Sequence, residues 1–101
     1  MKRFTDIKAE TQFAAYVLYI LEAMDSNDID YWCAYENCFN EEIIDEARQK
    51  FSDTMLVDAL LLLSEYDTCR AYLPKDKVEK SKEDIINKLK QIIKKDLDET
   101  V

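Results

Sequence analysis

Asp25, Asn27 and Glu36 occupy the first, third and twelfth positions of a calcium-loop spacing, where carboxylate and amide oxygens would ligate a hard cation. The rest of that loop fails. Position 5 is Ile29, whose side chain offers no oxygen, and the glycine of the sharp turn at position 6 is replaced by Asp30. A helix cap is the better account of these polar residues. Cys33, Cys38 and Cys69 are an odd number of thiols at no metal or redox spacing, and a zinc site lacks a fourth ligand. Buried thiols in a reducing compartment are the simplest reading. No metal or cofactor is expected.

Catalysis has as little to stand on. The chain contains no histidine and no glycine. Histidine is the commonest general acid or base, and glycine lets a backbone approach phosphates or form a nucleophile elbow. Ser-His-Asp and Cys-His catalysis, helical histidine metal sites and glycine-rich nucleotide loops are all removed. A carboxylate or lysine enzyme would need paired groups, and nothing pairs convincingly. The expectation is a protein that binds rather than reacts.

What remains is a surface feature. Between Lys8 and Arg48 there is no basic residue, while Glu10, Glu22, Asp25, Asp28, Asp30, Glu36, Glu41, Glu42, Asp45 and Glu46 are acidic. Residues 1–74 hold 6 bases and 15 acids, a net charge of -9, whereas residues 75–101 hold 8 bases and 7 acids, a net +1. The acidity is localised. Glu42, Asp45 and Glu46 fall three and four apart on one helix face, where like charges repel, so helix stability does not explain them. Tyr31, Trp32, Tyr35 and Phe39 lie inside the same stretch, and a short helix cannot bury Tyr31, Trp32 and Tyr35 on one side. Aromatic rings within uniform charge have the composition of a binding hot spot steering toward a cationic partner. Asp28, Asp30, Tyr31, Trp32, Tyr35, Glu36, Glu41, Glu42, Asp45 and Glu46 are therefore the candidate partner-binding residues. The competing account places Trp32 and Tyr35 in the core and leaves the acids to keep a small protein soluble.

The elements that must position these residues are helices. Apolar residues recur at period 3.6, the single proline is Pro74, and the absence of glycine makes tight hairpins improbable, so any positive φ must fall on Asn or Asp at a steric cost. One all-α domain over residues 1–101 is expected, a compact bundle of four to five helices around a central apolar helix over 54–73. There Met55, Ala59, Leu62, Tyr66, Cys69 and Leu73 form one stripe, and Leu56, Leu60 and Leu63 widen it. A first helix, capped by Thr5 or Asp6, carries Phe13, Ala14, Val17, Leu18, Leu21 and Met24 inward with Tyr16 and Tyr19 on its flanks, and ends near Asp25. Asp25 to Asp28 form a loop, and Asn27 or Asp28 caps a short second helix bearing Ile29, Trp32 and Cys33. Asn40 caps a third helix with Ile43, Ile44, Ala47 and Phe51 inward, and Ser52 or Asp53 starts the central one. Pro74 ends it, residues 75–80 form a charged connector, and Ser81 with Asp84 caps a last helix bearing Ile85, Ile86, Leu89, Ile92, Ile93 and Leu97, with residues 98–101 frayed. An offset of 42 residues aligns Leu18 with Leu60, Leu21 with Leu63 and Ile43–Ile44 with Ile85–Ile86. That matches either two pseudo-repeated helical hairpins or any two amphipathic pairs in phase.

The formal charge of -8 and pI near 4.5 disfavour direct nucleic-acid binding, because phosphates would be repelled. No apolar run reaches the roughly 20 residues of a membrane span, and Asp6 and Glu10 interrupt any signal peptide, so a cytoplasmic protein is expected. Asparagine and lysine usage without glycine suggests a low-GC bacterial or phage genome. Two readings of function follow. One is an inhibitor or regulator engaging a basic, nucleic-acid-handling protein, the physical type of immunity, anti-defence and DNA-mimic proteins. The other is a structural or adaptor subunit whose first or last helix has apolar surface to spare, forming a homo-oligomer or packing into a larger complex.

Overall fold

The computed structural model describes residues 12–100, which fold into five helices in chain order: α1 (Gln12–Asn27), α2 (Tyr31–Asn37), α3 (Glu41–Lys50), α4 (Asp53–Tyr72) and α5 (Lys75–Thr100). The candidate caps Thr5 and Asp6 lie outside the described residues. Among the described residues there is no strand. The all-α bundle is as the periodicity predicts, and its radius of gyration of 13.2 Å is that of a compact chain of about 100 residues.

The expected central helix is α4, shifted one residue to Asp53–Tyr72, and it packs against each of the other four. It shares the centre with α1, which also touches all the others and buries Phe13, Ala14, Tyr16, Val17, Leu18, Ile20, Leu21 and Met24. The predicted stripe of α1 is thus internal, and Tyr16 joins it rather than flanking it. Its phenolic oxygen accepts the Asn40 amide at 3.1 Å, which satisfies the hydroxyl inside the bundle. Tyr19 stays outside at 60% exposure.

Local signals decide several boundaries. The Asn40 side chain accepts the Ile43 amide at 3.2 Å and opens α3, while Ser52 accepts the Met55 amide at 3.1 Å and opens α4. Ile44, Ala47 and Phe51 are buried as expected, and Ile43 is half-buried.

The α1–α2 junction differs from the expected loop over Asp25 to Asp28. Asp25, Ser26 and Asn27 complete the last turn of α1. The helix closes when Asp28 adopts φ 51° and the Ile29 amide reaches back to the Met24 carbonyl at 3.2 Å. This six-to-one closure is a Schellman motif that normally uses glycine, and in a chain without glycine an aspartate fills the left-handed position. The cap of α2 is consequently Asp30, whose Oδ1 accepts the Cys33 amide at 2.8 Å, rather than Asn27 or Asp28.

A second difference concerns residues 75–80. They are no connector but the first turns of α5, a helix of 26 residues whose rise of about 39 Å accounts for the 41 Å long axis of the molecule. Pro74 does two jobs. It forces Leu73 into extended backbone, φ -95° and ψ 150°, which stops α4, and its carbonyl accepts the amides of Lys77 and Val78 at 2.9 and 3.2 Å, which starts α5. Ser81 caps nothing, since it lies inside the helix with its hydroxyl donating to the Lys77 carbonyl at 3.1 Å. Residues 98–100 also remain helical rather than frayed.

Against α4, α5 buries Ile85, Leu89 and Ile93, with Ile86, Ile92 and Leu97 packed at the edge of the core. The halves related by 42 residues differ in form. Leu21 and Leu63 are both buried, but Ile44 is buried where Ile86 is half-buried and Ile43 half-buried where Ile85 is buried, so the inward phase slips by one residue.

Candidate partner-binding face

The aromatic residues singled out in the sequence fall on α2, a helix of seven residues of which only Ala34 is buried. A helix this short and this shallowly seated cannot hide its rings. Trp32 is 59% exposed and Tyr31 37%, so Trp32 is not a core residue, and Tyr35 is half-buried. The rings pack on one another, Trp32 to Tyr35 at 6.4 Å between centroids and Tyr35 edge-on to Phe39 at 5.8 Å.

Facing them is a side of α4 that none of the other described helices covers. Val57 and Leu61, one turn apart, are 56% and 58% exposed, and Leu60 beside them is half-buried. Tyr31, Trp32 and Tyr35 on one wall and Val57, Leu60 and Leu61 on the other enclose a groove of about 240 Å³. Tyr35, Val57 and Leu60 also border a second hollow of about 250 Å³ that continues toward α3, with Arg48 and Asp53 among its lining residues. The two hollows share Tyr35, Val57 and Leu60 and so adjoin as a trough along α4, apolar between α2 and α4 and bordered by charge toward α3. Sequence reasoning found its aromatic wall but missed the aliphatic one. The available signal was that α4 is apolar on nearly every side, more than four neighbouring helices can cover.

The charges around this face are fewer than the local sequence implies. Five of the ten acids expected to stand uncompensated are ion-paired. Asp45 and Glu46 pair along α3 with Arg48 and Lys50 at 3.6 and 2.7 Å, so helix stability does account for two of the three carboxylates on that face. Asp28 pairs with Arg70 at 2.9 Å, Glu22 with Lys82 at 2.7 Å, and Asp25 with Lys82 at 2.8 Å and Arg70 at 3.9 Å. Asp30 is engaged in capping, and its contact with the Cys33 amide holds its carboxyl below the usual range. Glu36, Glu41 and Glu42 are exposed, and among the described residues no cation lies within ion-pair distance of them. Glu41 and Glu42 sit in the first turn of α3, where the helix dipole favours them. Glu10 lies outside the described residues.

Asp25 and Asn27, the start of the calcium-like spacing, are in the last turn of α1. The Asp25 carboxylate is the centre of a latch between α1, α4 and α5. The buried Tyr66 hydroxyl donates to both of its oxygens at 2.8 and 2.9 Å, and Lys82 reaches it from α5. Burial, reinforced by hydrogen bonding to the Asp25 carboxylate, raises the Tyr66 phenol far above its ordinary value. Burial alone would lower the Lys82 ammonium, but its bonds to Asp25 and Glu22 outweigh that and raise it. Arg70 adds a bond to the Ile29 carbonyl at 3.2 Å, fixing the turn that presents α2.

The thiols are less buried than expected. Cys33 is exposed, Cys38 and Cys69 are half-buried, and all are free. The Asp30 carboxylate beside Cys33 pushes its thiol up, away from nucleophilic chemistry. Among the described residues no three metal-binding side chains converge, and no helix is long and apolar enough to cross a membrane. The apolar stripes of α1 and α5 face the core; among the described residues the α2–α4 face gathers Tyr31, Trp32, Val57 and Leu61 around one groove, while Tyr19, Tyr72 and Leu73 are exposed elsewhere. No protein-family model, curated protein or solved structure matches this chain.

Proposed function

We propose that the protein is a small acidic, non-enzymatic binding module that inhibits or regulates a basic, nucleic-acid-handling protein, in the manner of an immunity, anti-defence or DNA-mimic protein, with the α2–α4 face as its contact surface. The observation that supports this reading is the uncovered apolar groove, in which Trp32, Val57 and Leu61 each leave more than half of their surface in water. Large exposed apolar residues gathered in one place mark interaction sites, and tryptophan and tyrosine are the residues that most often anchor them. Glu36, Glu41 and Glu42 near α2 and the net charge of -8 supply the field that would draw in a cationic partner and repel nucleic acid itself.

The test is capture of partners from a lysate of the source cell at roughly 0.1 M and roughly 0.5 M salt, between which the screening length falls from about 10 Å to under half of that. Captured proteins are identified and their association rates measured. A basic protein held at low salt and released at high salt is expected, with the triple variant Glu36→Lys, Glu41→Lys, Glu42→Lys slowing its association about tenfold or more. A partner held equally at both salts, with an unchanged on-rate in the triple variant, removes the inhibitor reading. The exposed Val57 and Leu61 would then favour the adaptor reading, in which the same face pairs with another subunit through apolar contact alone.

A further inference from the structure

Resting on that reading, we infer that the occupant of the α2–α4 groove is an amphipathic α-helix of the partner, with apolar residues along one ridge and lysine or arginine at its flanks. The trough lies between two helices, so both walls are rows of side chains on convex rods, the shape into which a third rod packs. Along α4 its lining runs from Asp53 to Leu63. That is about 15 Å of helix, enough for apolar anchors on three successive turns of a docked helix. An extended peptide would have no sheet edge to extend, since the described residues include no strand.

Charge decides between a foreign helix and a second copy of this chain. On α4 the exposed pair Val57 and Leu61 is followed one turn outward at each end by an acid, Asp53 and the Lys88-paired Glu65, and on α2 Glu36 stands one turn beyond Trp32. Asp30 caps the other end of α2. The cations nearby are already engaged, Arg48 by Asp45 and Lys88 by Glu65. Two copies meeting through this face would bring Asp53 and Glu36, for which no ion pair forms among the described residues, toward like charge, whereas cationic flanks on the incoming helix would meet them with opposite charge.

Trp32 is the only tryptophan in the chain, and its exposure of 59% makes its emission a direct reporter of whether the groove is covered. The experiment titrates the full-length protein with a synthetic peptide of about fourteen residues, or four turns, built of leucine and lysine at amphipathic helical spacing. Two control peptides have the same pattern, one with a central proline that breaks the helix and one with glutamate for lysine. A saturable blue shift of Trp32 emission is expected with the first peptide. Its affinity should fall at least about tenfold with the proline peptide and with Leu61→Glu or Val57→Glu protein, both of which replace exposed residues and should show the parent's circular dichroism. The glutamate peptide should not bind. Equal affinity for the proline peptide, no effect of either variant, or no saturable shift overturns the helix-in-groove inference. A salt-sensitive basic partner captured in spite of that outcome would leave the acidic-module reading standing, so the two fail separately.

Discussion

Replacing Tyr66 with phenylalanine isolates the latch that holds α1, α4 and α5 together. The ring stays, so core packing is unchanged at a residue that is 1% exposed, and only the hydroxyl is lost. That hydroxyl makes contacts of 2.8 and 2.9 Å to the two oxygens of one carboxylate. A hydrogen bond to a charged group contributes about 1.5–3 kcal/mol. Here the upper part of that range does not apply. Asp25 keeps Lys82 at 2.8 Å, and its side chain is 31% exposed, so water can replace the phenol and no buried charge is orphaned. The expected loss is about 1–2 kcal/mol, equivalent to a fall in Tm of roughly 5–15 °C for a domain of this size. Urea and thermal unfolding should be followed by far-UV circular dichroism, because Trp32 is already exposed in the folded state and reports unfolding poorly. The pH dependence gives an independent reading. The folded state raises the Tyr66 phenol above its ordinary 10.0 and so binds a proton that the unfolded chain releases. Stability from this group is therefore complete below about pH 10 and is lost as pH rises above it. Phenylalanine cannot titrate, so the variant should show a shallower alkaline decline. Part of the decline should persist, because Tyr16, raised by burial, and Lys82, raised by its carboxylate partners, lose stability in the same direction. A variant as stable as the parent at neutral pH, with the same alkaline slope, would refute the role given to the Tyr66–Asp25 contact.

Two further substitutions test how the bundle is assembled. Ser52→Ala removes the cap of α4 and also the hydroxyl donated to Asp96 of α5, a carboxylate only 8% exposed; a loss of about 1–2 kcal/mol in urea unfolding is expected, and a neutral result would show that the α3–α4 junction is held by other contacts. Leu89→Glu and Leu61→Glu place the same charge on α5 and α4, but Leu89 is 1% exposed and Leu61 58%. The first should unfold the domain by circular dichroism, while the second should stay within about 0.5 kcal/mol of the parent; a folded Leu89→Glu protein would mean that the α5 stripe is not core.

What could be read from the sequence depended on the range of the interaction. Asn40 and Ser52 were legible as caps because each bonds an amide three residues away. The inward faces of α1 and α5 were legible because helical period alone sets them. The cap of α2 was not, since Asn27, Asp28 and Asp30 all have the chemistry. The choice is made by Arg70, 41 residues beyond Ile29, which holds the turn by the Ile29 carbonyl and Asp28. Ser81 and Asp84 had capping spacing but sit in a helix already begun at Pro74. The charge balance failed for the same reason of distance. Counting bases near Asp25 and Glu22 along the chain could not anticipate Lys82, 57 residues away from Asp25 in sequence and 2.8 Å away in space.

The groove itself follows from a mismatch between α2 and α4. Helix α4 has 20 residues and carries apolar side chains toward α5 and the core as well as on its outer side. The element opposite that outer side is only seven residues long and is anchored by one buried alanine, a cap and the Arg70 clamp. A longer α2 could have covered Val57 and Leu61, and polar residues at 57 and 61 would have removed the need. With neither, the folded chain keeps Trp32, Val57 and Leu61 in water, which contributes nothing to stability and invites self-association. On the proposed reading, Asp53 and Glu36 at the trough would oppose that association between copies. Capping accounts for Asp30 and the Lys88 pair for Glu65, but solubility alone explains neither the placing of Asp53 and Glu36 beside the trough nor the apolar surface they flank. A cationic helix seated between them accounts for both.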